Sequence, residues 1–334
     1  MSRFSAFYWL LGIVIITTTA CNNDDFDVPV EIPDFDYPSS VQFADSLSSY
    51  AIFEGDWSAL IPKAGVELLE LSAPLFTDYA HKQRLVRLPE GTSMEIDGDG
   101  EIIFPDGTLL TKTFFYFLDE RNPDLGKRII ETRLEIKQAG IWNVATYLWN
   151  DEQDEALLTI SGHDTPIEWI NESGQSISTL YHVPDENECI ACHQSNGSMS
   201  PIGPKLRNLN RAVNRAGHTI NQLNYLQEKG LLANFDISTV STIVDYNQVQ
   251  FTVADRARAY LDMNCAHCHN PSGWETPAEL DFDFRYETPL AQTGIVYETE
   301  KIVDALTAGE MPFIGTTLMD NEGVALLLEY FDSL

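Results

Sequence analysis

Two short motifs constrain this chain more than any other feature of its sequence. Four of its five cysteines lie in the pattern C-x-x-C-H, which occurs at residues 189–193 and again at 265–269. Two thiols one helical turn apart can bond covalently to the two vinyl groups of a haem, and the adjacent imidazole then reaches the iron from the same side. The sequence therefore predicts two c-type haems.

The motif assigns a role to each of its residues. Other uses of paired cysteines fit less well. Zinc sites place their C-x-x-C pairs about 15–20 residues apart, whereas Cys265 lies 73 positions after Cys192. Disulfides give no reason for a histidine after each pair, and no βαβ pattern indicates a thioredoxin-like motif. We therefore expect thioether bonds at Cys189, Cys192, Cys265 and Cys268, and proximal iron ligands at His193 and His269.

The N-terminus has the pattern of an exported lipoprotein. A basic start is followed by an apolar run over residues 4–16 and by small residues before Cys21. This predicts a signal peptide over 1–20 and lipidation of Cys21, with ordinary cleavage or an uncleaved anchor as alternatives. The acidic, proline-containing segment 21–38 is typical of an extended tether. We expect a lipid-anchored, exported protein on the periplasmic or cell-envelope side. The outer membrane is favoured because Asn22, and not aspartate, follows the lipidated cysteine.

The charge of the chain limits its partners. With 20 basic and 51 acidic side chains the formal net charge is −31. Phosphate groups would be repelled by such a surface, which excludes nucleic acid as a partner. A redox protein with a basic docking patch is the partner that this charge favours.

Residues 39–181 are typical of β-structure. Ile130, Thr132, Leu134 and Ile136 alternate with charged residues, which predicts a strand with one buried and one solvated face. A turn at 138–140 leads to a second such strand. The Asp106–Gly107 pair predicts another hairpin between 102–104 and 108–110. Several short strands at this spacing favour a β-sandwich-like domain.

The last part of the chain is typical of helices. Thr252 and Asp255 form a capping pattern at the start of a helix that runs into Cys265. A further helix is predicted to end at Gly309, and a C-terminal helix spans 321–334.

These features resemble known proteins. A helix leading into C-x-x-C-H, a later Met-Pro pair and a C-terminal helix resemble class I cytochrome c. The wider chain resembles a family of bacterial di-haem c-type cytochromes with a β-rich N-terminal region, on segments 73–79, 201–211 and 256–271. The resemblance implies a multidomain α+β fold, with a β-sandwich-like N-terminal domain followed by mainly α-helical cytochrome c modules at 182–251 and 252–334.

The same resemblance implies the remaining iron ligands. Met311 would be the second axial ligand of the second haem, with Met319 as the alternative. A Gly-Pro segment at 202–204 follows His193 as it does in class I proteins, but no methionine follows at the expected distance. We expect His218 as the distal ligand of the first haem, with Met263, Met199 or an open iron as alternatives.

Three functions follow from these expectations. We favour a protein that transfers single electrons between redox partners through its two haems, rather than an enzyme. The alternatives are a di-haem peroxidase-like enzyme with an open first haem, and a surface binding protein that recognises its ligand through the β-rich domain.

Overall fold

A computed structural model describes residues 32, 37, 39–98, 100–195, 197–273 and 282–334. The predicted signal peptide (1–20) and the lipidation site Cys21 lie outside the described residues, as does most of the predicted tether (21–38). From Asp34 to Leu334 the chain forms one compact unit. Within the described part, no helix combines the length and hydropathy that crossing a bilayer requires.

Antiparallel β-structure dominates the described residues. The strands are β1 Glu67–Leu68, β2 His81–Arg87, β3 Glu95–Asp97, β4 Glu101–Ile103, β5 Leu109–Phe117, β6 Lys127–Gln138, β7 Ile141–Trp149, β8 Ala156–Thr159, β9 Ser161–Ile170, β10 Ser176–Asp185, β11 Gln194–Ser195, β12 Ser198–Met199, β13 Ala212–Arg215 and β14 His218–Asn221. The α-helices are α1 Glu186–His193, α2 Leu206–Leu209, α3 Gln222–Glu228, α4 Val253–Asn264, α5 Ile295–Ala308 and α6 Asn321–Asp332.

One six-stranded sheet carries most of the long strands, in the order β1-β2-β5-β6-β7-β8. The predicted turn at 138–140 joins β6 to β7, which confirms this hairpin. The remaining strands form two-stranded sheets from β3 and β4, β9 and β10, β11 and β12, and β13 and β14.

Both faces of the six-stranded sheet are covered, so the predicted solvated face is wrong. On one face Leu134 and Tyr147 pack against Leu47 and Ile52, which precede the sheet in the chain. The other face carries the charged residues of β6, yet the Glu131 side chain is 0% exposed and that of Arg133 17% exposed. Alternation of charged and apolar residues shows that a strand has two different faces, but it does not show what covers each face.

A register shift explains a second departure from the alternation. Between Phe114 and Phe115 the pairing of β5 with β6 slips by one residue. Such a bulge adds a residue to one strand and reverses the side-chain pattern beyond it. Ile130 therefore joins a cluster with Phe114 and Tyr181, instead of the one that contains Leu134.

The hairpin predicted at Asp106–Gly107 is also wrong. A turn is present, with Gly107 at φ +86°, but the strands on its two sides do not pair with each other. β4 pairs with β3, and β5 pairs with β2 and β6. Turn residues report that the chain reverses, whereas the partner of each strand depends on contacts distant in sequence.

The predicted fold class is wrong as well. The chain is β-rich with several antiparallel sheets, and it is not a β-sandwich followed by mainly α-helical cytochrome c modules. Residues 182–251 combine the short helices α1, α2 and α3 with two β-hairpins. The helices of the last part share one apolar core with the six-stranded sheet, since Val86 and Leu110 belong to the same cluster as Leu261 and Leu327. The domain boundaries drawn from the sequence stay a prediction.

The helix ends that bear on the site are as predicted. Thr252 accepts a hydrogen bond from the Asp255 amide and begins α4. Gly309 ends α5 in the left-handed conformation, at φ +74°, where a residue without Cβ is favoured. Both short-range patterns fix a backbone hydrogen bond locally, which is why the sequence suffices to predict them.

Candidate functional site

The first C-x-x-C-H motif lies on helix α1. Asp185 precedes this helix, and its carboxylate accepts a hydrogen bond from the Glu188 amide at 2.9 Å. The Glu188 carboxylate in turn accepts from the Asp185 amide at 2.9 Å, which completes a capping box. Residues three and four apart share a helix face, so this helix turns Cys189, Cys192 and His193 toward one side.

A backbone contact fixes the orientation and the tautomer of the His193 ring. Its Nδ1 atom lies 3.0 Å from the Ser200 carbonyl oxygen. A carbonyl can only accept, so Nδ1 carries the proton and Nε2 presents its lone pair, as in histidines that bind metals. Burial and the nearby Lys112 charge lower the pKa of His193 to about 3, which keeps the ring neutral. The carbonyl that orients His193 is therefore that of Ser200.

The second motif follows helix α4 and lies in a turn. The His269 amide donates to the Cys265 carbonyl at 2.9 Å. The His269 ring lies 5.8 Å from the Phe282 ring and 5.4 Å from the Phe284 ring, centroid to centroid. Burial and the neighbouring His267 lower the pKa of His269 to about 4. The lowered pKa keeps this ring neutral. Its buried Nδ1 atom has no hydrogen-bond partner among the described residues, so it lacks the orienting carbonyl found at His193.

The two motifs meet in space. The Cys192 thiol lies beside Cys268, which raises its pKa, and beside His267, which lowers it. The second cysteine of one motif is therefore adjacent to the second cysteine of the other, although the motifs are far apart in the sequence. Sequence reasoning assigned the motifs to separate modules and missed this contact, because no local pattern reports an approach between segments so far apart in the chain.

The four motif cysteines are free thiols rather than disulfides. Burial raises the pKa of Cys189 to about 12 and that of Cys265 to about 12. The pKa of Cys192 is also raised, first by its hydrogen bond to Cys268 and then by burial. Thiols with raised pKa values are poor nucleophiles. A thioether carries no charge, so these surroundings fit the product of haem attachment.

The methionines proposed for the second haem lie at the edge of the core. Met311 is partly buried against the cluster that contains Phe282 and Phe284, the two rings beside His269. Met319, the alternative, is 36% exposed. The assignment of Met311 as distal ligand stays a prediction.

The candidates for the first distal ligand lie in different surroundings. His218 is exposed and stands opposite Arg215 in the β13–β14 hairpin. Met199 is buried in β12. The Met263 sulfur accepts a hydrogen bond from the Asn208 side chain at 3.1 Å, and Met263 lies against Gly203, which follows the first motif. These assignments also stay predictions.

The donor set fits haem rather than a bare ion. Within the described residues, no group of three or more His, Cys, Asp and Glu side chains could hold a metal ion. Haem iron takes four ligands from its macrocycle, so the protein supplies only the axial ligands. The neutral rings of His193 and His269 meet that requirement, and the free thiols beside them are those that could form the thioether bonds.

No protein-family model, no curated protein and no solved structure matches this chain. The assignment to a family of bacterial di-haem cytochromes, with a class I-like second module, is therefore wrong. The β-rich fold, with several antiparallel sheets in place of mainly α-helical modules, also counts against it. The short matching segments carried too little of the chain to establish a family. The two C-x-x-C-H motifs do not depend on that assignment.

His182 on β10 contacts the first turn of α1 and makes the stability of this region depend on pH. His182 places Nδ1 2.7 Å from an Asp164 oxygen and Nε2 2.8 Å from a Glu188 oxygen. Burial lowers its pKa, but the two carboxylates outweigh burial and the net pKa is raised. Because the pKa of His182 is higher in the folded state, its protonated form stabilises the folded protein at pH values below the unfolded-state pKa of about 6.5. This stabilisation is lost as the pH rises through the folded-state pKa.

We therefore expect His182→Asn to destabilise the protein at low pH and to have little effect at high pH. Urea unfolding of both proteins between about pH 5 and about pH 9 measures the difference. His163→Asn, at an exposed position on β9, is the matched control. A difference between wild type and His182→Asn that stays constant over this range would contradict the assignment.

Proposed function

We propose that this chain is an exported protein that carries two c-type haems and transfers single electrons between redox partners. The observation that carries the proposal is the contact between Cys192 and Cys268. Two attachment motifs distant in sequence occupy one continuous site. Adjacent attachment points favour electron exchange between two cofactors, because electron tunnelling weakens steeply with distance.

The surroundings of the two histidines support this function. When bound, each haem supplies reversible one-electron exchange at its iron. The His193 and His269 rings are only partly exposed, and their lowered pKa values keep them neutral, so that their ring nitrogens are available as ligands. Phe282 and Phe284 exclude water from His269. The raised thiol pKa values disfavour nucleophilic catalysis by the cysteines, so we favour electron transfer over an enzymatic reaction.

The acidic surface sets the expected class of partner. A net charge of −31 attracts a protein with a basic patch and accelerates their encounter at low ionic strength. We therefore propose a redox protein of that kind as the electron donor or acceptor.

The proposal is tested by a redox titration of protein matured in a host that attaches c-type haem. We expect two reversible one-electron transitions in the visible spectrum. His269→Ala should keep both thioether-bound haems but shift one transition and make one iron high-spin, because its proximal ligand is lost. His163→Ala, at the exposed position on β9, should leave both transitions unchanged. A protein with no reversible transition would contradict electron transfer.

We also propose a lipid anchor at Cys21. Cleavage before this residue would leave a diacylglyceryl cysteine at the mature N-terminus, on the periplasmic or cell-envelope side. The mass of the mature N-terminal peptide should include the lipid, and Cys21→Ser should move the protein from the membrane fraction to the soluble fraction. An unmodified Cys21 in the mature protein would contradict the anchor.

A further inference from the structure

A row of three cations crosses the charged face of the six-stranded sheet. Arg84 on β2 pairs directly with Lys112 on β5, and Lys112 pairs directly with Arg133 on β6. Directly opposite residues of antiparallel strands point to the same face. We call these three residues the cationic row.

Such a row is unfavourable unless an anion accompanies it. Like charges opposite each other destabilise a sheet, and burial adds a desolvation cost for each charge. The chain has far more acidic than basic side chains, with 51 against 20, yet it concentrates cations here. Charge repulsion on this face is therefore not a consequence of overall composition.

The carboxylates of the chain compensate only part of this charge. Glu131 accepts two hydrogen bonds from Arg133. The Nε and Nη2 atoms of Arg84 are buried, and neither has a hydrogen-bond partner among the described residues. Lys112 lies 5.2 Å from the centroid of the Phe114 ring and forms no ion pair with another described residue. Burial and the charges of Arg84 and Arg133 lower the pKa of Lys112 to about 7, although the nearby carboxylates of Glu135 and Glu131 raise it. These two carboxylates therefore compensate only part of the charge.

A cavity lies against the cationic row. All three cations line it, together with Glu135 from the sheet and with Ile202 and Pro204. These last two residues follow the first C-x-x-C-H motif in the chain. Leu69, Leu71 and Leu110 form its apolar wall. A ligand with an apolar body and acidic groups matches this lining.

The row is also close to the first motif. Glu135 lies 3.7 Å from Nδ1 of His193. Arg133 pairs across the sheet with Thr146, and the Thr146 hydroxyl lies 3.9 Å from the Cys189 sulfur. The line of cross-strand neighbours that begins at Arg84 thus ends at a cysteine of the motif.

We propose that the cationic row binds carboxylate groups, namely the two propionates of the haem attached at Cys189 and Cys192. This inference rests on the proposed function, because it requires a haem at the first motif. The thioether bonds at Cys189 and Cys192 would hold this haem beside the cationic row, so its propionates are the carboxylates available there. A free carboxylate or another small anion has the same charge, so the experiment must distinguish the two sources.

The test uses haem-loaded protein with Arg84→Met and, separately, Lys112→Met. Each substitution keeps an unbranched side chain but removes one positive charge. A cation near a propionate favours the reduced haem, so its removal should lower the reduced-to-oxidised ratio of one haem by about tenfold at a fixed potential. The other haem should change much less. Arg84→Lys should keep most of the wild-type ratio, because lysine carries the same positive charge as arginine.

Two controls make the result specific. Arg128→Met removes a charge from β6, the strand that carries Arg133, at an exposed ion pair with Asp151. This substitution should leave the potentials of both haems unchanged. Addition of acetate or phosphate to the wild-type protein tests for a free anion. If the added anion shifts the spectrum or the melting temperature of the wild type but not of Arg84→Met, the cavity binds a free anion and the propionate assignment is overturned.

The remaining outcomes are also decisive. Two attached haems with potentials unchanged in Arg84→Met and Lys112→Met would overturn the inference and leave the proposed function standing. A wild-type chain that attaches no haem would overturn both. Haem-to-protein stoichiometry, measured first, separates these two failures.

Discussion

The charged face of the six-stranded sheet is the surface against which the site is assembled. The opposite face packs on the N-terminal segment around Leu47 and Ile52, so the charged face is the one left to meet the rest of the chain. It does so through Thr146 and Glu135, which approach Cys189 and His193. Buried charge needs a partner in a low-dielectric interior. The contact of Glu135 with His193 thus connects the sheet to the first motif. The first motif in turn contacts the second motif through Cys192 and Cys268.

Local chemistry was the part of the structure that the sequence could predict. The capping residue Thr252, the left-handed Gly309 and the hairpin at 138–140 each depend on backbone contacts within a few residues. The C-x-x-C-H motifs are local in the same sense, because their spacing alone determines which thiols and imidazole lie together. For these features the side chains and the backbone they constrain are neighbours in the chain.

Long-range relations could not be predicted in the same way. Arg133 alternates with apolar residues as a solvated residue would, and only the fold shows that its face is covered. The bulge at Phe114 and Phe115 leaves no sequence signature, yet it moves Ile130 to another cluster. The contact of Cys192 with Cys268 joins segments that short matching stretches had placed in separate modules. The same stretches led to a family assignment that the whole chain does not support.

The central claim is that this site holds two covalently attached haems. Its most direct test is the intact mass of the mature protein, purified from a host that attaches c-type haem and measured under denaturing conditions. We predict a mass increase equal to two haems. When Cys265 and Cys268 are both replaced by alanine, the increase should fall to one haem. A mass equal to that of the polypeptide and its N-terminal modification alone would contradict it.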